Sequence, residues 1–214
     1  MAKKTNKMDP TTDQPDRSFC NSLSKEWQAA VLEAAKVVKA GGVILYPTDT
    51  IWGIGCDATN EKAVERIFTI KERPSNKAML LLIDSDAKLP WLVKEVPSIA
   101  YDLIDSAVHP LTIIYPGARH VAPALIPEEG TLGIRITREL FSQSLCKNIG
   151  VPLVSTSANL SGHPSPRTFA EIDPEIIHRV DYVVPVRQNE TAPHTPSEII
   201  KLGVHNEVEI IRGA

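Results

Sequence analysis

The chain has 214 residues, 43% of them hydrophobic, which is enough for one domain with a sizeable core. Its formal net charge of −3 gives no general attraction to nucleic acid, so any polyanion must be met by a local patch. Three scattered cysteines without a C-x-x-C pair, and six histidines without paired spacing, leave no disulfide framework and no protein-held metal, and suit a reducing cytosol.

Residues 1–21 are polar and aperiodic and are expected to form a mobile tail ahead of a domain spanning residues 22–214. The tail lacks the apolar core of a signal peptide, and no apolar run approaches the roughly 18 residues of a membrane helix. A cytoplasmic protein with no membrane partner is expected. Trp27 to Ala40 reads as an amphipathic helix, with Ala30, Val31, Ala34 and Val38 on one face and Gly41-Gly42 at its C-terminal cap. Val43 to Tyr46 is an apolar, β-branched run suited to a buried strand, and it empties into Pro47-Thr48-Asp49-Thr50. Gly53 and Gly55 mark a turn or a close backbone approach.

Thr59 or Asn60 caps a helix through Ala63, Val64, Ile67 and Phe68 that stops at Pro74, and Leu80 to Ile83 is the next strand. A short helix over Ala100 to Ala107, strands over Leu111 to Tyr115 and Leu132 to Ile136, and a helix from Leu140 to Asn148 follow. Pro152 to Ser155 begins a strand, Phe169 to Arg179 is a helix interrupted at Pro174, and strands over Tyr182–Val186, Glu198–Leu202 and Glu207–Arg212 close the chain. The alternation predicts α/β or α+β with a mixed sheet. Hydroxyls at one strand end and cations at the next helix end can then face one crevice, where open α/β sheets bind ligands.

Four features carry charge or hydroxyls in a suggestive pattern. Lys71-Glu72-Arg73 with Lys77 either favours the carbonyls at a helix C-terminus or clamps an anion, Arg offering a fork and Lys a point charge. The stretch from Ser155 to Gly162, STSANLSG, either makes a turn or gathers hydroxyls and N–H groups around a polyanion. Ser157 is no hydrolase nucleophile, because the G-x-S-x-G elbow is absent. Arg135 lies inside the apolar run LGIRI, where a guanidinium must meet a buried carboxylate or a bound anion. Arg212, near the end of the sequence, is by default a solvated residue. No G-x-x-x-x-G-K-[ST] occurs, which excludes a P-loop.

Taken together, YPTDTIWGIGC, KERPSNK, PLT at 110–112, GIRIT, PLVSTSANLSG, PSEII and the final EIIRG resemble the threonylcarbamoyl-AMP synthase family, the YrdC-like or Sua5-type domain, over roughly residues 24–214. The resemblance implies an α/β fold, a single-domain twisted mixed sheet with flanking helices and a positively charged concavity, in the short form without an added domain. It implies synthesis of L-threonylcarbamoyladenylate from L-threonine, bicarbonate and ATP with release of pyrophosphate, for modification of tRNA adenosine 37. The family's K-x-R and S-x-N motifs fall on Lys71 and Arg73, and on Ser157 and Asn159, the expected catalytic set.

Lys71, Arg73, Lys77, Thr112, Ser157, Ser165 and Arg212 are the residues expected to bind ATP. Thr50, Arg135, Ser155 and Ser197 are expected to bind threonine, with Arg135 taking its carboxylate. Mg2+ is expected to arrive with the ATP phosphates and not on a protein-held site. Contact with tRNA or double-stranded RNA and hand-over to the tRNA threonylcarbamoyl transferase complex are the expected partnerships. Two readings compete: an RNA-binding module, which the acidic charge and the lack of aromatics among the cations oppose, and a catalytically weak paralogue.

Overall fold

The computed structural model describes residues 24–72, 79–191 and 196–213; the tail expected over residues 1–21 lies outside them. The first helix, α1 (Lys25–Lys39), starts where the Ser24 hydroxyl accepts from the Trp27 N–H, and ends at Ala40 with Gly41 in the left-handed region at φ 84°. The strands β1 (Ile44–Tyr46) and β2 (Gly53–Gly55) flank the Thr-rich turn. Helix α2 (Glu61–Ile70) is capped by Asn60 and leaves its axis at Lys71, with Glu72 at φ 49°, so it ends before Pro74 is reached. Then come β3 (Leu80–Ile83), α3 (Leu89–Leu92), α4 (Ile99–Ser106), β4 (Leu111–Pro116), β5 (Thr131–Ile136), α5 (Leu140–Ile149) and β6 (Leu153–Ser157). The chain finishes with α6 (Pro174–Arg179), β7 (Tyr182–Val183), β8 (Glu198–Leu202) and β9 (Val208–Arg212).

The strands form one nine-stranded sheet in the order β7-β1-β2-β6-β3-β5-β4-β8-β9. It is mixed: β1 with β7, β3 with β5 and β4 with β8 run parallel, and the other neighbours antiparallel. Side chains alternate between faces along each strand. One face carries Leu81, Ile83, Ile113, Ile134 and Ile200, packed with α2, α3, α4 and α6. The other carries Tyr46, Leu82 and Leu153, on which α1 and α5 sit through Ala34, Val38, Phe141 and Leu145. The α1–α5 layer covers only part of that second face. Beyond it the register lines up Ser155, Leu80 and Gly133 in one row, and Thr112 with Ile199 on the neighbouring strands.

Of the two readings of Gly53 and Gly55, the close backbone approach holds and the turn does not: both lie in strand β2, and a Cβ on Gly55 would lie 2.6 Å from the Val154 carbonyl oxygen and 2.8 Å from the Tyr46 ring. Glycine lets β2 pass beneath the Tyr46 ring while pairing with β6. Gly55→Ala is therefore expected to destabilise the protein by about 1–3 kcal/mol, read as a lower urea midpoint at unchanged slope. The helix expected over Phe169–Arg179 with an interruption at Pro174 is a 3-10 turn at Phe169–Glu171 and then α6, which Asp173 caps and Pro174 starts at its first position, so the break falls just before the proline. Among the described residues no helix is long and apolar enough to cross a membrane.

Candidate active site

The uncovered part of the sheet holds a cavity of about 250 Å3. Into it come Thr50 from the β1–β2 loop, Arg135 from β5, and Ser155 and Ser157 from β6. Ser165, from the loop after β6, Ser197, just ahead of β8, and Arg212 of β9 complete the polar wall. Residues as far apart in sequence as Thr50 and Arg212 thus meet because β2, β6, β5 and β9 present one face. Thr112 lines an adjoining recess of about 340 Å3, with its hydroxyl 2.9 Å from that of Ser197. Arg73 and Lys77 lie outside the described residues.

Lys71 is 1% exposed and does not line the cavity wall. Its ammonium reaches under the Ser157–Gly162 turn and donates to the carbonyl of Ser157, to that of Asn159 at 2.6 Å and to Asn159 Oδ1 at 3.4 Å. The Lys71 carbonyl in turn accepts from the Ser161 N–H at 2.8 Å. Asn159 is fully used inside the turn: Oδ1 also accepts from the Ser157 hydroxyl, and Nδ2 donates to the carbonyls of Leu160 at 3.0 Å and His163 at 2.7 Å. The end of α2 and the serine-rich turn are therefore one hydrogen-bonded unit, which meets the requirement that a buried ammonium be compensated. The Ser157 hydroxyl stands on this unit at the cavity wall.

Arg135 is 3% exposed, and its Nη2 lies 3.2 Å from Oδ1 of Asp49, whose side chain is 13% exposed. The guanidinium in the apolar strand has met a carboxylate as an ion pair, but among the described residues neither its Nε nor Asp49 Oδ1 has a hydrogen-bond partner. Burial pushes the Asp49 carboxyl above the usual carboxylate range; Arg135 pulls it back without cancelling the shift, and Glu139 adds to it. Arg212 donates from Nε to the Ser197 carbonyl at 2.8 Å. Its charged form is disfavoured, first by burial and then by the neighbouring charge of Arg135. Two guanidinium groups facing one cavity repel each other, and an anion between them removes that cost.

The loop carrying Thr50 is pinned from within and from behind. Thr48 Oγ1 accepts from the Thr50 N–H at 3.0 Å and donates to the Ile51 carbonyl at 2.8 Å. Ser142 of α5 donates to the Pro47 carbonyl at 3.1 Å, and Arg187, at φ 64°, donates to the Thr48 carbonyl at 3.0 Å. Arg187 also pairs with Glu139, which caps α5 by accepting the N–H groups of Phe141 and Ser142. Asp49, Glu139 and Arg187 were absent from the sequence-derived site. Asp49 had a signal, a carboxylate directly after a buried strand. Glu139 and Arg187 had none, since their meeting depends on how α5 and the segment after β7 cross the β1–β2 loop.

Among the described residues the cavity wall offers two cations, several hydroxyls and no carboxylate or imidazole. Such a wall selects anionic groups and orients oxygen-rich ligands. The family model for Sua5, YciO and YrdC, described as "Telomere recombination", matches residues 36–214. The chain belongs to that family. A threonylcarbamoyl-AMP synthase of Pseudoalteromonas translucida is a relative in it, 34% identical over 166 residues, 73% of this chain and 86% of the relative. A double variant of P. abyssi Sua5 superposes with a TM-score of 0.78 at 27% identity, covering 88% of this chain and 57% of that one. P. abyssi Sua5 complexed with L-threonine gives 0.74 at 27% identity, covering 84% and 52%. This chain thus spans little more than half the length of those Sua5 chains, and the residues matched by the family model, 36–214, include all the strands of the sheet.

Proposed function

We propose that this chain synthesises L-threonylcarbamoyladenylate from L-threonine, bicarbonate and ATP, releasing pyrophosphate, as a nucleotidyltransferase supplying the threonylcarbamoyl group of tRNA. The observation that carries this reading is the convergence of Arg135, Arg212 and the Ser155–Ser157 hydroxyls, the latter seated on the Lys71-held turn, around one cavity. The relative named threonylcarbamoyl-AMP synthase and the threonine-bound Sua5 support it.

In this reading threonine's carboxylate pairs with Arg135, and Thr50, Ser155 and Ser197 give it hydrogen bonds. The neutral amine bonds to the carbon of bicarbonate with loss of water, or to that of CO2 with opening of one C–O π bond and loss of an N–H proton to solvent, yielding the carboxylate of N-carboxythreonine. An oxygen of that new carboxylate bonds to the α-phosphorus of ATP, and the bond from that phosphorus to the bridging oxygen breaks, releasing pyrophosphate. Two anions must be brought together, so the contribution of the protein is charge neutralisation and alignment. Arg212 faces the phosphates, a role the resemblance also gives Arg73 and Lys77; Ser165 and Thr112 give hydrogen bonds to phosphate or ribose oxygens, and the Ser157 hydroxyl, whose proton goes to Asn159 Oδ1, accepts from a ribose hydroxyl. Lys71 and Asn159 hold Ser157 in place. Mg2+ would arrive with the ATP phosphates and would help to neutralise their charge.

Pyrophosphate release from ATP is the test. It is expected to need both threonine and bicarbonate, and release that continues with either omitted would count against the assignment.

A further inference from the structure

Arg135 is aimed by a residue that does not touch the cavity. Along β5, Ile134 and Ile136 face α4 while Arg135 faces the site. Asp49 lies on the α4 side: it lines a separate pocket of about 150 Å3 with Ile104, Ile134 and Ile136 and is absent from the wall of the site cavity. From there its Oδ1 reaches Arg135 Nη2 around the strand end, at 3.2 Å. The contact is an ion pair without an aligned hydrogen bond at Asp49 Oδ1, so charge attraction draws the guanidinium toward Asp49, and because the guanidinium is a rigid planar fork this biases the direction of its other N–H groups. The partner is itself fixed. The Asp49 backbone lies between Thr48, whose carbonyl is held by Arg187, and Thr50, whose N–H is held by the Thr48 hydroxyl. Glu139, Arg187 and Arg135 are the charged groups that act on the Asp49 carboxylate, and Glu139 is tied to the α5 N-terminus.

We propose that Asp49 is a positioning residue for amino-acid recognition: by pairing with Arg135 from behind, it aims the guanidinium at the carboxylate of the substrate in the cavity. This rests on the reading of Arg135 as the threonine-carboxylate partner. The same carboxylate also keeps Arg135 from turning to other anions in the site, so the effect of losing it falls on the amino acid and not on the nucleotide.

The test is calorimetric binding of L-threonine, L-threonine amide and ATP to the full chain, with Asp49→Ala, Asp49→Asn and Arg135→Met. Asp49→Ala is expected to weaken threonine on the order of tenfold, in line with loss of alignment at a binding group. Its ATP affinity should stay within about threefold, and its preference for threonine over the amide should shrink. Asp49→Asn, which keeps an acceptor for Nη2, should restore threonine binding to within about threefold of wild type, a rescue that a change in global stability does not produce. If Arg135→Met loses threonine while both Asp49 variants bind it normally, the positioning role is wrong and the Arg135 reading stands. If Arg135→Met also binds threonine normally, the Arg135 reading fails and the proposal falls with it. If Asp49→Ala weakens threonine and ATP alike, the role is merely structural and the proposal is overturned.

Discussion

Lys71→Met is expected to lower kcat/KM for ATP by a factor on the order of 10²–10³, the loss that follows removal of one preorganised donor at a site of charge development. Threonine affinity should move by no more than about threefold. The reason lies in what the ammonium touches: the carbonyls of Ser157 and Asn159 and the Asn159 amide oxygen. A methionine has nearly the same volume but donates nothing, so two carbonyls of the turn lose a charged partner and Ser157 loses its fixed platform. Each such bond to a charged group is worth roughly 1.5–3 kcal/mol, so a drop in unfolding free energy of that order accompanies the loss. Lys71→Arg should not restore activity. A planar fork cannot converge three donors on one point as an ammonium does. Undiminished turnover of Lys71→Met would show that the turn does not depend on it.

Arg135→Met should weaken threonine binding by roughly 10²-fold, from the 2–5 kcal/mol that truncating one partner of a buried charged pair usually costs. The fold should survive. The Asp49 carboxyl is already held above its usual range by burial, and Arg135 is the principal group opposing that shift. Without the guanidinium the main opposition to that rise is lost, so the neutral form of the Asp49 carboxyl is favoured further. The variant should therefore show a threonine defect with little change in ATP binding, read by titration of each ligand separately. Equal loss of both ligands would mean that Arg135 holds the sheet together and does not read the amino acid.

Much of this site was legible in the sequence because it is written in residues that are costly without a partner. Arg135 in an apolar strand demanded a carboxylate or an anion, and the structure supplies Asp49 on one side and a cavity on the other. The hydroxyl-rich stretch after β6 and the cation after α2 were each ambiguous alone; the structure joins them, with Lys71 a cap of α2 and a donor to the turn carbonyls at once, and off the cavity wall. That double role was not readable, because it depends on the β3–β6 register that brings residues 86 and 88 positions apart into contact. Gly53 and Gly55 left a turn and a close backbone approach open, and the structure decides for the second: at Gly55 the Tyr46 ring and the β6 backbone leave no room for a side chain. Glu139 and Arg187 carry ordinary surface chemistry in the sequence. Only the crossing of α5 with the β1–β2 loop turns them into supports of Thr48 and, through it, of Thr50 and Asp49.

The most direct measurement is mass detection of the product after incubating the full chain with ATP, Mg2+, L-threonine and 13C-bicarbonate. A labelled carbon in threonylcarbamoyladenylate, appearing in step with pyrophosphate and lost in Lys71→Met, is the predicted result. Nucleotide that binds and is recovered unchanged in the presence of both co-substrates would contradict the account.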